Sequence, residues 1–245
     1  MDTLLAWAAA LPALLILALL AWAVATARRN AGLVDIFWPL FFLAAAAVYA
    51  AQAGSASIVL VLVVLWALRL AGYLAWRNWN AEEDHRYRAI RARNEPNFAV
   101  KSLYLVFGLQ AVLAWVISAP LLFTELFVPG IALVLFGIAF EAVADWQLAR
   151  FKADPANRDQ VMDRGLWRHT RHPNYFGECC VWWGFYAIAA AAGGAWTVFS
   201  PLLMTFLLLR VSGVTLLEKD IGERRPAYRD YVRRTNAFIP GPRRA

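Results

Sequence analysis

The sequence predicts an all-α integral membrane protein with about seven transmembrane helices. Of its 245 residues, 61% are hydrophobic and 17% are charged, against roughly 45–50% and about 25% in soluble domains. The apolar residues are concentrated in blocks that approach the roughly 20 residues a helix needs to cross a bilayer. Because backbone polar groups in lipid must be hydrogen-bonded within the chain, these blocks are predicted to be helices.

The apolar blocks define the predicted spans in order along the chain. They lie near residues 4–26, 36–53, 57–77, 101–119, 127–148, 176–192 and 196–216. We expect them to form a single membrane domain over residues 1–245. Its polar side is predicted to consist of the loops 77–101 and 149–175 and the tail 218–245.

The basic residues predict how the spans are oriented. The connections on one side of the spans hold 22 of the 24 Lys and Arg residues, and the connections on the other side hold none. Arg69 and Arg210 lie within spans, toward the basic side. By the positive-inside rule the N-terminus is outside and the C-terminus is cytoplasmic, as an odd number of spans requires.

The formal net charge of +7 follows from this topology and from attraction to anionic lipid head groups. We therefore expect membrane lipids, and no nucleic acid, as partners.

Ionisable residues inside the spans are functional candidates, because burying such groups in a membrane costs a few kcal/mol. They are Asp35, Arg69, Glu141, Asp145, Glu178, Arg210 and Glu218. The predicted topology places them in the cytoplasmic half, so we expect a polar pocket that faces the cytoplasm. The alternative is a set of interfacial residues that pair with each other or with head groups.

The third span carries a polar face. Trp66, Arg69, Tyr73 and Arg77 follow helical spacing and therefore share one side of the helix. Tyr73 could direct its phenol toward a carbonyl or a phosphate. An interfacial anchor of aromatic and arginine side chains is the alternative.

The string GLWRHTRHPNYFGE, residues 165–178, combines the side chains that bind a phosphate-bearing nucleotide. Arginine donates in pairs to phosphate, aromatic rings stack on a base, and a carboxylate can accept from ribose hydroxyls or a carboxamide. The candidate cofactor-binding residues here are Trp167, Arg171, His172, Asn174, Tyr175 and Glu178. Two histidines three residues apart are a weak metal signal, so no metal is expected.

The tail is a second basic and aromatic segment, in which Arg224, Arg225 and Tyr228 could close over the same pocket. A lipid-facing amphipathic tail is the alternative. No G-x-G-x-x-G motif follows a strand and there is no P-loop, so a dinucleotide would not be bound by a Rossmann domain.

The chain resembles the steroid 5-alpha-reductase superfamily, especially its bacterial branch, domain of unknown function 1295. The likeness runs from GLVDIFWP through LRLAGYLAWRNW to the tail and is strongest at RGLWRHTRHPNYFGE. It implies seven helices and an NADPH pocket on the cytoplasmic side of a bacterial inner membrane.

The resemblance also implies cofactor roles. Asn174, Tyr175 and Glu178 match residues that contact the nicotinamide–ribose region. The DWQLARFK stretch places Asp145 in the pocket, with Arg150 and Lys152 on the phosphate or adenosine side. Arg69 matches a pocket arginine of the third span.

The chain departs from the steroid reductases at the catalytic positions. Those enzymes polarise a 3-keto group with a Glu on the second span and a Tyr three residues before the third-span Arg. Here the nearest acid is Asp35, which could act only when protonated, and the Tyr position holds Trp66. Asp35 and Tyr73 are therefore the candidate catalytic residues.

The function implied by the resemblance is NADPH-dependent reduction of a carbon–carbon double bond in a lipophilic, steroid-like or other enone that enters from the bilayer. Because R-H-P-x-Y is shared with membrane methyltransferases of the isoprenylcysteine and phospholipid type, an S-adenosylmethionine-dependent enzyme is an alternative. A non-catalytic lipid or sterol binder is another. The N-Y-F-G-E continuation and the seven spans favour the reductase.

Overall fold

A computed structural model describes residues 3–211 and 227–244. Within these ranges the chain forms helices and connecting loops, with no strand. The helices are α1 (Thr3–Ala27, with a turn at 9–10), α2 (Ala31–Ala53), α3 (Ile58–Asn78), α4 (His85–Asn94), α5 (Phe98–Ile117), α6 (Val128–Ala153), α7 (Pro173–Ala191), α8 (Ala195–Val211) and α9 (Ala227–Arg234). Short 3-10 turns lie at Ala119–Leu122, Pro155–Asn157 and Gly165–Arg168.

Five of these helices, α1, α2, α3, α5 and α6, are long and apolar enough to cross a membrane. The predicted all-helical membrane class is therefore confirmed for the described residues. The sixth and seventh predicted spans coincide with α7 and α8. Helix α7 carries Asn174 and Glu178 in its first two turns, and α8 is a shorter apolar helix that reaches residue 211, where the described range ends.

The chain divides into two compact units: unit 1 contains residues 1–126 and 192–194, and unit 2 contains residues 127–191 and 195–245. Unit 1 has a core of large side chains. Phe41, Phe42 and Trp66 are completely buried, and the rings of Phe42 and Trp66 meet edge to face at 5.6 Å. This core joins α2 to α3.

Helices α1 and α5 of unit 1 are joined by a pair of indoles. The rings of Trp7 and Trp115 stack with centroids 4.5 Å apart. Each indole N–H donates to the backbone carbonyl oxygen of the other residue, both at 2.9 Å. The pair therefore satisfies two polar N–H groups within a membrane-spanning region, where each unsatisfied group would cost several kcal/mol.

Helices α6 and α7 of unit 2 pack backbone against backbone. Glycines recur seven residues apart on both helices, at 130 and 137 on α6 and at 177 and 184 on α7. A Cβ added to Gly137 would lie 2.6 Å from the Gly177 carbonyl oxygen, and one added to Gly184 would lie 2.8 Å from the Val134 nitrogen. Small residues allow this close approach of membrane helices.

We predict that Gly137→Ala destabilises unit 2 because the new methyl group meets immovable backbone atoms and forces the helices apart. The expected loss in the free energy of unfolding is about 1–3 kcal/mol, measured as a lower melting temperature of the detergent-purified protein. Gly72→Ala is the matched control, since a Cβ there meets nothing within 4 Å. It should raise stability by up to about 1 kcal/mol through helix propensity. Equal effects of the two substitutions would contradict the close packing.

Candidate functional site

Three buried carboxylates lie near one end of the α6–α7 pair. Glu141 and Asp145 are one turn apart on α6, and Glu178 lies on α7; they are 2%, 5% and 7% exposed. The position of a Cβ on Gly177, next to Glu178 in the chain, is 2.7 Å from the Glu141 nitrogen, so the helix turns that carry Glu178 and Glu141 are adjacent. Because carboxylates are rarely buried without a specific role, this carboxylate cluster marks a candidate functional site.

The loop Gly165–His172 lies along α6 beside the carboxylate cluster. The Leu166 N–H donates to Gln147 Oε1 at 2.9 Å, and Trp167 Nε1 donates to the Ala144 carbonyl oxygen at 3.0 Å. Gly165 has a φ of 57° and faces the Gln147 side chain, with which a Cβ would collide at 2.5 Å. These contacts place the buried Trp167 ring at the turn of α6 that carries Asp145.

The C-terminal segment runs along the same loop. The Arg171 N–H donates to the Asn236 carbonyl at 2.9 Å, and the Gly241 N–H donates to the His169 carbonyl at 3.0 Å. The Thr170 hydroxyl donates to the Phe238 carbonyl at 2.8 Å. The loop and the segment 235–241 therefore form one hydrogen-bonded layer.

Arg171 and Tyr231 fasten α9 to this layer. The Arg171 guanidinium donates to the carbonyl oxygens of Val232 and Thr235 at the end of α9. The Tyr231 hydroxyl donates to the Trp167 carbonyl at 2.5 Å. Burial, with Tyr228 beside it, raises the pKa of Tyr231, so its hydroxyl stays protonated as a donor. Arg171 thus has a structural role that its sequence pattern did not predict.

The other predicted cofactor residues of unit 2 differ in exposure. The rings of His172 and Tyr175 stack, with centroids 5.6 Å apart and planes inclined by 4°. Asn174 and Tyr175 are half-buried in the first turn of α7. Tyr228 is buried, with its ring 5.4 Å from that of Tyr231. Arg150 and Lys152 are exposed near the end of α6. Arg224 and Arg225 lie outside the described residues.

No group of three or more His, Cys, Asp or Glu side chains in the described part of the chain has an arrangement that would hold a metal ion.

Unit 1 contains a second polar cluster, around the predicted catalytic residue Asp35 of α2. The Tyr87 hydroxyl donates to Asp35 Oδ1 at 2.5 Å, and Arg86 Nη2 donates to Asp35 Oδ2 at 3.2 Å. Gln110 Nε2 approaches the Tyr87 oxygen at 3.4 Å. The buried Gln110 Oε1 has no hydrogen-bond partner within the described residues. We call Asp35, Arg86, Tyr87 and Gln110 the Asp35 cluster.

Electrostatics assign protonation states within the Asp35 cluster. Burial, together with the Asp35 charge, raises the pKa of Tyr87 well above its usual value. Burial alone would lower the pKa of Arg86, but the carboxylates of Asp35 and Asp84 have the larger effect and raise the pKa of Arg86. The cluster therefore presents a protonated Tyr87 phenol and a charged Arg86 guanidinium, both of which donate to Asp35. In the structure Asp35 is the hydrogen-bond acceptor for both side chains.

The predicted residues of α3 lie as the helical spacing indicates. Trp66 is fully buried and Arg69 is half-buried. The Arg77 guanidinium lies 5.4 Å from the centre of the Tyr73 ring, and the Trp76 ring lies 6.1 Å from it. Tyr73 is thus part of an aromatic and arginine cluster at the end of α3.

Sequence reasoning missed Arg86, Tyr87 and Gln110. The string DHRY at 84–87 is separated from the end of α3 by five residues, and this was the available signal. From the sequence alone, the basic residues of that loop predict topology. Their pairing with Asp35 joins residues 51 and 52 positions apart, which helical periodicity cannot reveal.

Glu83 anchors the loop that carries the missed residues. It accepts hydrogen bonds from the Ala31 N–H at 2.7 Å and from Arg91 Nη2 and Nε at 2.7 and 2.9 Å. Burial acts to raise the pKa of Glu83, but the hydrogen bonds from Arg91 and Ala31 outweigh it and lower the pKa. Glu83 therefore fixes the start of α2 to the segment before α4.

The family comparison agrees with the resemblance. Residues 21–235 match the family described as "Protein of unknown function (DUF1295)". The chain belongs to this family, which is associated with steroid 5-alpha-reductase-like proteins.

A curated relative is the uncharacterized protein C594.04c of Schizosaccharomyces pombe, which is 27% identical over 264 residues. The alignment covers 89% of this chain and 75% of the relative. No solved structure matches the chain.

We predict that Glu83→Gln lowers the free energy of unfolding by about 1–2 kcal/mol at pH 7, because charge-assisted hydrogen bonds are lost. The lowered pKa means that this stabilisation is present above the ordinary Glu pKa, about 4.3, and is lost as the pH falls through the folded-state value. The difference between wild type and variant in thermal melts should therefore shrink below about pH 4.

Glu82→Gln is the control for this prediction, because the Glu82 side chain is 93% exposed and 3.8 Å from Arg88. It should leave the melting temperature nearly unchanged, since exposed ion pairs contribute little. A Glu83 effect that is equally large at pH 3.5 would contradict the assigned role of its charge.

Proposed function

We propose that this protein is a membrane oxidoreductase that uses NADPH to reduce the carbon–carbon double bond of a lipophilic, steroid-like or other enone. The observation that carries the proposal is the buried Tyr87 phenol, which donates to Asp35 beside the Arg86 guanidinium. Reduction of an enone requires a hydrogen-bond donor for the charge that develops on the carbonyl oxygen, whereas methyl transfer does not. Family membership supports the same chemistry.

The donor role follows from the environment of Tyr87. A preorganised donor in a site that excludes water stabilises an enolate oxygen strongly, and removing one such donor typically costs about 10²–10³ in rate. The raised pKa keeps Tyr87 protonated. Its single O–H is donated to Asp35 in the structure, so we propose that this proton turns to the carbonyl oxygen when the substrate binds. The buried Gln110 Oε1, which has no partner within the described residues, is an acceptor available to a ligand hydroxyl.

The residues of unit 2 fit an NADPH molecule by their chemistry. Carboxylates at 145 and 178 can accept hydrogen bonds from ribose hydroxyls or a carboxamide. The half-buried Asn174 and Tyr175 provide an amide and a ring, and the exposed Arg150 and Lys152 provide phosphate ligands. When bound, NADPH supplies the hydride that the β-carbon accepts.

The proposed topology has seven spans, with α7 and α8 as the sixth and seventh, the N-terminus outside and the C-terminus cytoplasmic. The asymmetric distribution of the basic residues supports it. A bacterial inner membrane, with the polar pocket facing the cytoplasm and the substrate entering from the bilayer, completes the proposal.

A methyltransferase remains the second candidate, because R-H-P-x-Y at 171–175 is shared with those enzymes and its His172 and Tyr175 rings stack. Such an enzyme would bind S-adenosylmethionine and would have no use for the 2′-phosphate of NADPH.

We predict that NADPH raises the melting temperature of the detergent-purified protein more than NADH or S-adenosylmethionine does. At 100 times its Kd a ligand stabilises the folded state by about 2.7 kcal/mol. Asn174→Ala should weaken the NADPH effect while leaving the unliganded melting temperature close to wild type. A shift with S-adenosylmethionine alone would reject the reductase and favour the methyltransferase.

A second prediction compares three candidate catalytic groups in single-turnover reduction of a 3-oxo-Δ4-steroid with NADPH bound. Tyr87→Phe should lower the rate by about 10²–10³ through loss of the donor, with unchanged NADPH affinity. Asp35→Asn should lower it less, because the amide can still accept from Tyr87. Tyr73→Phe, the matched tyrosine control, should leave the rate near wild type. A large loss for Tyr73→Phe alone would transfer the donor role to Tyr73.

A further inference from the structure

Unit 1 contains a half-open cavity of about 430 Å³ beside the end of α1. Its buried lining includes the apolar Ala25, Phe98 and Phe107 and the polar Ser102. Its more exposed lining includes Arg29 and Glu95. The volume lies within the range of roughly 300–1,000 Å³ that is typical of small-molecule sites, and none of these residues belongs to the site proposed above.

The backbone of Arg29 is unusual for its residue type. The Arg29 and Asn30 N–H groups donate to the carbonyls of Thr26 and Ala25 at 3.1 and 2.9 Å, which is the Schellman pattern that ends many helices. Arg29 occupies the left-handed position of this motif, with a φ of 51°. Glycine is favoured there because a Cβ is strained in this conformation. An arginine in a strained position at a cavity indicates a function for its side chain.

The two arginines that end α1 have different roles. The Arg28 guanidinium donates to the Trp79 carbonyl at 3.0 Å and to Asn80 Oδ1 at 3.2 Å, and it stacks over the Trp79 ring. Arg28 therefore fastens α1 to the end of α3. The Arg29 side chain is exposed and lines the cavity. Within the described part of the chain, its guanidinium makes no hydrogen bond or ion pair.

A second cation of the cavity is held in place. Arg91 donates to Glu83 through Nε and Nη2, and its guanidinium lies 4.4 Å from the centre of the Phe98 ring. Arg91 and Arg29 both line the cavity, and among the lining residues that the structure describes Glu95 is the one carboxylate. Because Arg91 is already paired with Glu83, Arg29 is the lining cation left to bind an anionic group such as a phosphate diester.

We infer that this cavity binds the phosphate of a glycerophospholipid head group, with Arg29 as its principal ligand. Arginine suits phosphate because its fork of donors matches two phosphate oxygens. The apolar lining between the ends of two membrane-crossing helices suits the first carbons of the acyl chains, and basic pockets at such places bind lipid head groups. The inference does not depend on the proposed reductase activity.

The test is a titration of the full chain in nonionic detergent with dioleoyl-phosphatidylglycerol, dioleoylglycerol or inorganic phosphate. Melting temperature and native mass spectrometry are the two readouts. Phosphatidylglycerol should raise the melting temperature and remain bound in the mass spectrum, and the other two should not. Arg29→Gly should weaken lipid binding at least tenfold. Its unliganded melting temperature should equal or exceed that of wild type, because glycine suits the left-handed position.

Two further variants test whether lipid binding depends on the side chains that line the cavity or on surface charge in general. Arg93→Ala removes the same charge from an exposed position outside the cavity lining and should leave the affinity for phosphatidylglycerol near wild type. Glu95→Gln removes the unfavourable carboxylate and should increase it. Equal weakening by Arg29→Gly and Arg93→Ala would overturn the site. Equal binding of dioleoylglycerol would overturn the phosphate contact, and equal protection by inorganic phosphate would overturn the lipid assignment.

Discussion

A charged side chain at a membrane-crossing helix has to be neutralised or hydrogen-bonded, and this requirement organises the polar parts of unit 1. Asp35 near the start of α2 is satisfied by Arg86 and Tyr87 of α4. Glu83 is satisfied by the Ala31 N–H and by Arg91. Without these pairs, several kcal/mol of burial cost would be uncompensated. The loop after α3 is therefore folded back onto α2 by its charges, and the same contacts hold the Tyr87 phenol in a buried position.

In unit 2, the main structural constraint is the close packing of two helices that both carry carboxylates. The glycine contacts between α6 and α7 supply close packing where a hydrophobic driving force is weak. They also place Glu141 and Glu178 on adjacent turns. The loop Gly165–His172 and the C-terminal segment then cover that end through backbone hydrogen bonds. Arg171 binds carbonyl oxygens of the segment, so the cationic string both builds the site and supplies its candidate ligands.

The membrane class and the five longest spans could be predicted because block length and hydropathy report directly on bilayer crossing. The shared face of Tyr73 and Arg77 could also be predicted, since it depends only on helical spacing. The partners of Asp35 could not, because they come from a distant segment whose charges also fit a topological role. The structural role of Arg171 could not be predicted for another reason. An arginine that binds carbonyl oxygens looks the same in the sequence as an arginine that binds phosphate.

We propose that hydride chemistry, and not methyl transfer, takes place in this protein. The most direct measurement incubates the purified protein and a membrane lipid extract with NADPH deuterated at C4 of the nicotinamide, and in parallel with S-adenosylmethionine carrying a trideuterated methyl group. Mass spectrometry then follows the lipids. The account predicts a lipid product that gains one deuterium from NADPH, with no label from S-adenosylmethionine. A trideuterated methyl group in a lipid, or no transfer from NADPH, would contradict it.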